Sequence, residues 1–482
     1  MKSNYLRFVV VACVSLIVSA CGGSGTDSGG SLASNAPAPI SAVTGTITGF
    51  GSVHVNGIHF DTSGAAIAKN GAPALQSDLR VGQLVKVRGS VNQTTGEGVA
   101  SSVSQDDNVE GPIASIDAAA GKFVVLGQTI ILDTSTSFDN RISPASIQGL
   151  KVNDQVEVSG MVAANGDIKA TRVELRRAGQ TQLEVTGTVS SADTAAKKFK
   201  IAALIVNYST AQLEGFANGQ PGNGDLVEAK GTVINAAGEL VATKVENESN
   251  ESRDADRGDR REVEGLVTRY VSATDFDVAG RRVTTNSATR YEGGVVGDLV
   301  LNARVEVEGS LDAAGILVAA KVEFRNGGNA RIEAKVDSID SVANKITVLG
   351  VVVTVNNATR IEDKTAARIE AFSIRNLATG DYVRVRGRET GTNTLTATRL
   401  ERRNDSATTK LRGTARDVVA PKFTILGVVV ETNSSTVFRG EDEQTLTSEQ
   451  FFANAAGRVV SAKGTLAGVS LIAREVEYED ED

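Results

Sequence analysis

Cysteine, histidine and tryptophan are scarce in this 482-residue sequence, which contains two Cys, two His and no Trp. Cys13 lies in an N-terminal apolar run that we expect to be removed, so Cys21 is the only thiol of the mature chain. A disulfide framework, a cysteine metal site and a catalytic thiol are therefore excluded. The formal net charge of -8 and an aromatic content of 4% also exclude nucleic acid as a partner, because base stacking and counterion release have little to act on.

Side chains that commonly perform catalysis are equally sparse. Both histidines lie in one short segment, and no Gly-x-Ser-x-Gly nucleophile motif is present. Glutamates do recur at the end of five of the six repeated segments described below, where we expect a solvated charge at a strand edge. They are Glu174, Glu246, Glu323, Glu401 and Glu477. The sequence predicts a protein that is not an enzyme and needs no cofactor.

The first twenty residues have the features of a secretory signal peptide. Lys2 and Arg7 precede an apolar run, residues 8–18, that is too short to span a bilayer, which takes about 20 apolar residues. The ending "VSAC" resembles the lipobox of bacterial lipoproteins, and this resemblance implies acylation, such as palmitate, at Cys21. An ordinary signal peptide with a chance Cys is the alternative. Gly22 resembles the outer-membrane sorting pattern, so we expect a lipid-anchored envelope protein whose partner is the membrane.

Six copies of one unit follow a Gly/Ser/Pro tether. Each copy contains a hairpin motif, apolar-x-apolar-x-Gly-x-x-apolar, at residues 53–60, 123–130, 199–206, 276–283, 346–353 and 423–430, with Ala for Gly in the third. Each hairpin follows an apolar-x-Gly-x-apolar stretch and precedes V-x-V-x-G and A-x-x-V stretches. The predicted domains are a signal peptide (1–20), a flexible tether (21–40), repeats 41–106, 107–177, 182–247, 262–326, 330–402 and 410–479, and a charged hinge linker (248–261).

Valine-rich alternation with period two, interrupted by Gly, predicts antiparallel strands with one face in a core. Three strands, a spacer and two strands predict an all-β tandem array of six small closed β-barrels of five to six strands, similar to the OB-fold. The spacers "KTAARIEAFSIRNL" and "LTSEQFFANAAG" are predicted to be a short helix or a loop, and segments such as "NATRI" to supply a sixth strand. The first-strand Gly is expected to mark a bend or bulge.

These motifs also resemble a known family, the bacterial secreted lipoproteins with tandem copies of the domain of unknown function 5666. The V-x-G-x-V, F-x-V-x-G-x-x-V, G-[D/Q]-x-V-x-V-x-G and A-x-x-V-E elements carry the resemblance, from about residue 41 onward. The family name implies no activity and no functional residues.

The two histidines flank Asn56-Gly57, a pair that favours a tight turn with His54 directly opposite His59. The other copies place Leu or Ala before the Gly and predict a turn that would set His54 opposite Asp61, because those residues disfavour positive φ. In either register the two histidines and Asp61 share the face away from the core. They are a weak candidate metal site, and a solvated polar face is the simpler interpretation.

Hairpins two, five and six are apolar on both faces, which predicts cover on both sides. The residues concerned are Val124, Leu126, Ile131, Leu349, Val352, Leu426 and Val429. The cover is either a neighbouring unit or a partner protein. We therefore expect a non-catalytic structural or interaction scaffold at the cell envelope with an envelope protein or a glycan as partner; the alternative is an array that binds an oligosaccharide or a peptide on its hairpin faces and loops.

Overall fold

The computed structural model describes residues 41–479, apart from residues 93–94, 134, 177–178, 249–259, 326–327, 329 and 442–443. The predicted signal peptide, the tether and most of the linker lie outside these described residues. Strands dominate the described part, together with one short α-helix and four 3-10 turns, which confirms the all-β prediction. None of the described helices has the length and apolar character that a membrane span requires.

The strands of the first three units follow the predicted order. Unit 1 contains β1 (Ser41–Gly49), β2 (Val53–Val55), β3 (Ile58–Asp61), β4 (Ala66–Lys69), β5 (Ala72–Pro73), β6 (Leu84–Asn92) and β7 (Glu97–Gln105). Unit 2 contains β8 (Val109–Asp117), β9 (Lys122–Val125), β10 (Gln128–Ile131), β11 (Ser137–Phe138), β12 (Gln155–Val162) and β13 (Ile168–Leu175). Unit 3 contains β14 (Leu183–Asp193), β15 (Lys198–Ile201), β16 (Leu204–Asn207), β17 (Gln212–Glu214), β18 (Leu226–Ile234) and β19 (Leu240–Asn247).

The last three units repeat this arrangement. Unit 4 contains β20 (Arg260–Ser272), β21 (Asp275–Val278), β22 (Arg281–Thr284), β23 (Arg290–Glu292), β24 (Arg304–Leu311) and β25 (Leu317–Phe324). Unit 5 contains β26 (Ala330–Asp340), β27 (Lys345–Val348), β28 (Val351–Thr354), β29 (Arg360–Asp363), β30 (Tyr382–Gly391) and β31 (Thr394–Arg403). Unit 6 contains β32 (Thr409–Val419), β33 (Lys422–Ile425), β34 (Val428–Glu431), β35 (Val437–Arg439), β36 (Thr445–Leu446), α1 (Ser448–Asn454), β37 (Val459–Ala467) and β38 (Ser470–Tyr478).

Five strands of each unit pair in a closed ring. In unit 1 the ring runs β1, β2, β3, β7, β6 and back to β1, and the contact between β3 and β7 is parallel. The other units have the same circuit. The predicted extra strand exists in each unit. Of the five ring strands of its unit it pairs with only one, the last, and only along the far half of that strand, as β29 does with β31. It lengthens the ring wall without becoming a sixth full member.

All six hairpins have a two-residue turn. The first turn residue has a positive φ in every unit, at 52° for Asn56, 46° for Leu126, 47° for Ala202, 48° for Ala279, 56° for Leu349 and 51° for Leu426. The second is a Gly with a positive φ in five units, whereas in unit 3 it is Ala203, whose φ is not positive. His54 therefore lies directly opposite His59, and the alternative turn expected for the Leu and Ala copies is wrong. A left-handed Leu or Ala costs about 1–2 kcal/mol. Strand pairing on both sides of each turn, and in some units burial of the turn side chain, offset that cost.

The two recurring glycines have separate roles. A Cβ on Gly45, Gly111 or Gly265 would collide with the turn residue of the same hairpin, so the first-strand Gly makes room for that side chain. The bulge in the first strand comes later, after Ile47 in β1 for example, which corrects the expectation that this Gly marks it. The V-x-V-x-G glycines do lie at a register shift in all six units, where the facing backbone passes too close for any Cβ.

The two spacers considered for helices differ. In unit 6, Thr447 caps α1 by accepting a hydrogen bond from the backbone N–H of Gln450, and Phe451 is buried against the core. In unit 5 the corresponding segment has only a 3-10 turn, Ile374–Asn376. Arg368 adopts a left-handed conformation, and the carboxylate of Asp363 accepts the backbone N–H groups of Thr365 and Ile369. These local bonds replace those of a helix.

The units are joined in pairs through their first strands, and we call each such pairing a junction. Antiparallel junctions connect β8 with β14 (units 2 and 3) and β26 with β32 (units 5 and 6). A parallel junction connects β1 with β20 (units 1 and 4). Units 2 and 3 share one hydrophobic core, as do units 5 and 6, whereas units 1 and 4 have separate cores.

The predicted linker ends earlier than the charge pattern suggested. Arg260 and Arg261 are the first residues of β20, and Arg261 is buried where β20 pairs with β1. The linker prediction is therefore wrong for its last two residues. Because the strand after the linker pairs with unit 1, the linker does not separate units 1–3 from units 4–6.

Candidate functional site

The histidine pair is a stacked pair of rings on the edge of unit 1. The ring centroids of His54 and His59 are 3.7 Å apart. Burial and the neighbouring His59 lower the pKa of His54 to about 4. Asp61 accepts the backbone N–H of Ser63, and within the described residues these three side chains do not bring their ligand atoms together. The arrangement favours a neutral stacked pair over a metal site.

The doubly apolar hairpin faces divide into two groups. Leu126 and Leu426, both in turns, are buried in the cores shared by units 2 and 3 and by units 5 and 6, and Leu349 packs partly against the second core. The remaining positions, Val124, Ile131, Val352 and Val429, are half-buried and belong to no core cluster. A neighbouring unit thus covers the turns and leaves the strand positions partly accessible.

A polar cleft of about 980 Å³ lies where units 1, 2 and 5 meet, and residues 180–182 and Thr232 also line it. Unit 1 contributes Lys69, Asn70, Asp78 and Arg80; unit 2 contributes Glu110, Asp139, Arg141, Glu157, Arg172, Glu174 and Arg176; and unit 5 contributes Glu362, Asp363, Lys364, Arg368 and Glu370. Charges of both signs therefore line one cavity.

A row of glutamates forms one wall of the cleft. Glu184, Glu110, Glu157 and Glu174 lie directly opposite one another across β14, β8, β12 and β13. Like charges in register destabilise a sheet unless they are compensated. The compensation comes from cations at short range: Lys69 Nζ lies 2.8 Å from Glu157, and Arg176 lies 3.2 Å from Glu110. Glu174 and Glu401 are buried in such networks, so the expectation of solvated edge charges is wrong for them.

Asp107, Glu110 and Glu157 form the tightest carboxylate group, with one oxygen of each within 4.8 Å of the others. Burial raises the pKa of Asp107 to about 6, and burial with the neighbouring carboxylates raises the pKa of Glu110 to about 7. Burial lowers the pKa of Lys69, but the surrounding carboxylates outweigh it and the net shift is upward. A metal ion would have to compete with Lys69, Arg176 and the Asn70 amide for the same oxygens.

Two cationic groups on the cleft retain hydrogen-bonding capacity. The Nε–H groups of Arg172 and Arg176 are buried and have no acceptor among the described residues. Burial of an unsatisfied donor costs about 1–3 kcal/mol. Both atoms are closed off from solvent, so a ligand in the cleft would meet the exposed guanidinium groups of Arg141 and Arg368 instead, which can donate to oxygen acceptors such as a hydroxyl or a carboxylate.

Sequence reasoning did not find this cleft. Its local signal is a glutamate directly after a core valine in three neighbouring strands, as in "VEG", "VEV" and "VEL" of unit 2. Alternation alone assigns such residues to solvent. They are buried because a second unit lies against the outer face of the barrel. Cys21, the predicted lipid attachment site, lies outside the described residues.

Comparison with known proteins identifies a family. The domain of unknown function (DUF5666) matches residues 39–104, 110–174, 186–246, 264–323, 333–401 and 412–477, one segment for each unit. No curated protein matches the chain. Among solved structures the chain is similar to drosophila Unr CSD456, with 14% sequence identity over 43% of this chain and 96% of that chain and a TM-score of 0.13. At so low a score the fold rests on the strand pairings alone.

Proposed function

The chain belongs to the DUF5666 family, and we propose that it is a non-catalytic interaction scaffold of the cell envelope. The observation that carries the proposal is the joining of six barrels through first-strand junctions. Side-chain bonds between the pairs reinforce it, such as those from Arg360 of unit 5 to backbone carbonyls of unit 2. Because these contacts hold the units in fixed positions, the protein is suited to bind partners on rigid surfaces.

We infer further that each unit is an OB-like barrel. The ring order of first, second, third, fifth and fourth ring strands, with the third and the last parallel, is the order of that fold class. Folds of this class serve many unrelated functions, so the inference concerns architecture only.

The anchor is part of the same proposal. The lipobox-like "VSAC" supports acylation at Cys21 and attachment to the outer membrane. The full chain should fractionate with membranes and incorporate labelled palmitate, whereas Cys21→Ser should do neither. A serine variant that still fractionates with membranes and carries label would contradict the anchor.

The scaffold role is tested by site-specific photo-crosslinking in cells. A photoreactive residue at Val429, on a half-buried hairpin face, should give adducts with another envelope protein. The matched position is Val342, which is almost fully exposed in a hairpin of unit 5. Identical adducts at both positions, or none at Val429, would contradict a partner surface on this face.

The second candidate function is binding of an oligosaccharide or a peptide, and the cleft is the observation that favours it. Its polar walls and the exposed guanidinium groups of Arg141 and Arg368 suit a ligand rich in oxygen atoms. A ligand present at 100 times its Kd would stabilise the protein by about 2.7 kcal/mol. A thermal-shift screen of saccharides and peptides should find such a ligand, and Arg368→Gln at the rim should reduce the shift, while Arg290→Gln outside the cleft should not.

A further inference from the structure

A row of five arginines crosses units 5 and 6. Arg412, Arg331, Arg386, Arg399 and Arg360 lie directly opposite one another on the adjacent strands β32, β26, β30, β31 and β29. Paired residues point to the same face of a sheet, so the five guanidinium groups project from one outer surface. We call this row the arginine ladder.

The neighbouring row does not neutralise the ladder. Two residues along each strand, Lys410, Glu333, Arg384, Glu401 and Glu362 form a second row on the same face. The two rows together hold seven cations and three glutamates. Those glutamates already serve several cations each: Glu333 lies 2.8 Å from Arg384, and Glu362 lies 2.6 Å from Arg399. The surface keeps an excess of positive charge.

Arg386, in the middle of the ladder, has the least compensation. Its side chain makes no hydrogen bond or ion pair with a described residue, and its Nε–H is buried without an acceptor. The Nε–H groups of Arg331 and Arg360 make no hydrogen bond either, and each lies in a longer ion pair, 3.6 Å from Glu333 and 3.5 Å from Glu362. Burial and the adjacent arginines, Arg399 first among them, lower the pKa of Arg386 to about 10. An arginine flanked by two others at strand spacing stabilises the protein only if an anion accompanies it.

Two neighbouring arginines inside the ladder are accessible. The side chain of Arg331 is 24% exposed and Arg386 is half-buried. The two ends are more enclosed: Arg412 is 11% exposed and lies within 3.5 Å of Glu479, and Arg360 is 9% exposed and donates to unit 2. A ligand from solution would therefore meet Arg331 and Arg386 first.

The spacing of the ladder restricts the ligand. Neighbouring strands lie about 4.8 Å apart, whereas alternate side chains of an extended peptide recur about every 6.6 Å. A uronic-acid chain carries one carboxylate for each sugar ring, a repeat shorter than that of alternate peptide side chains, and arginine binds carboxylates with two parallel hydrogen bonds. The ladder crosses five adjacent strands, which suits a linear ligand lying across the strands.

We propose that Arg331 and Arg386, the accessible part of the arginine ladder, bind a linear acidic saccharide through carboxylates on successive sugar rings. This site is separate from the polar cleft, and the two can fail independently. Binding should weaken as salt rises, because the contact is between partly exposed charges.

The test is calorimetric titration of the full chain with trigalacturonate. Wild type should bind, maltotriose of the same length should not, and Arg386→Gln and Arg331→Gln should each weaken binding at least tenfold. Arg290→Gln, an exposed arginine of unit 4, and Arg368→Gln, on the cleft, should bind as wild type does. Because Arg386 has no partner to lose, its variant should melt no lower than wild type, so that loss of binding reports on the site.

Four results would overturn the proposal. They are an absence of trigalacturonate binding to wild type, unchanged binding in Arg386→Gln, equal binding of maltotriose, and displacement of trigalacturonate by an equal concentration of inorganic phosphate. Tighter binding of an acidic peptide or an oligonucleotide than of trigalacturonate would also contradict it, because the spacing argument would then be wrong.

Discussion

The junction between units 1 and 4 differs from the other two in which residues of the two first strands lie opposite each other. In units 2 and 3 the core residue Val109 faces the core residue Val185, and in units 5 and 6 Ile332 faces Leu411. In units 1 and 4 the core residue Val43 faces Glu262. Paired residues share a face of the sheet, and a shift of one residue reverses every side chain. Two pairs therefore place both cores on one face and merge them, whereas units 1 and 4 place their cores on opposite faces.

The hairpin sequences of five units follow the same division. The doubly apolar hairpins belong to units 2, 5 and 6, which have merged cores, and the polar hairpins "VHVNGIHFD" and "FDVAGRRVT" belong to units 1 and 4. Unit 3 also has a merged core, but its hairpin places the exposed Lys200 on the outward face. Apolar turns are required where a turn packs against a second barrel. Where the cores are separate, buried glutamates of one unit contact the other unit, as Glu264 does when it accepts the backbone N–H of Thr46.

The largest expected effect is loss of that glutamate. Glu264 is buried and lies 2.6 Å from the partly exposed Arg304, and Glu264→Gln would remove the counter-charge of Arg304 and weaken the acceptor of the Thr46 N–H. Removal of one partner of a fully buried pair costs about 3–5 kcal/mol, and the partial exposure of Arg304 places the loss at the lower end of that range. Urea denaturation should show that loss, and Glu308→Gln, a less buried glutamate of the same unit, should cost below about 1 kcal/mol. Equal effects would mean that Glu264 has no special role at the junction.

Leu426→Asn should produce the next largest effect. Asn tolerates the left-handed turn, and Asn56 holds the same position in unit 1, so the backbone is preserved while the buried apolar side chain is lost from the shared core. Truncation of a buried Leu costs about 2–5 kcal/mol, less about 1 kcal/mol of relieved backbone strain. The half-buried equivalent Leu349→Asn should cost far less in the same urea titration. A larger loss at Leu349 would contradict the merged core.

A smaller effect is expected at Glu184, which is opposite Glu110 in the junction of units 2 and 3. Burial and the carboxylates of Glu228 and Glu110 raise the pKa of Glu184 to about 10. The folded state therefore holds this proton more tightly than the unfolded state, and the contribution to stability is complete below about pH 4.5 and is lost as pH rises toward 10.

Glu184→Gln should change the free energy of unfolding at pH 7 by less than about 1 kcal/mol, because it replaces a neutral carboxyl of the same shape. It should also reduce the decline in stability between pH 5 and pH 9, measured by urea midpoints. Glu362→Gln is the control of opposite sign. Burial raises the pKa of Glu362, but the charges of Arg399 and Lys364 outweigh burial and hold that pKa well below its usual range. Its contribution is present above about pH 4.5 and is lost as pH falls. A steeper decline in Glu184→Gln would contradict the assignment.

The smallest effect is expected at the histidines. The lowered pKa of His54 means that the unfolded state binds its proton more readily, so its influence on stability is confined to pH values between about 6.5 and 4. At pH 7.5, His54→Gln should change the free energy of unfolding by less than about 0.5 kcal/mol, and zinc should not alter the melting temperature. A zinc-dependent rise that His54→Gln abolishes would restore the metal interpretation.

Local sequence was sufficient for the parts of this fold that depend on neighbours along the chain. Alternation identified the strands, and Val53, Val55 and Phe60 are buried as expected. The junctions were not predictable, because pairing between first strands depends on which units meet and in what register. The polar cleft and the arginine ladder share this origin: Glu110 and Arg386 look like solvent-facing residues until the facing strand or unit is known.

The central claim is that the six units form one body through their junctions, including the one between units 1 and 4. The direct measurement is to place a specific protease site within residues 249–259, cut it, and run the product on a size-exclusion column under native conditions. The two fragments should elute together at the position of the uncut chain, because β1 and β20 remain paired and the contacts between pairs are intact. Elution as two separate halves would contradict the claim.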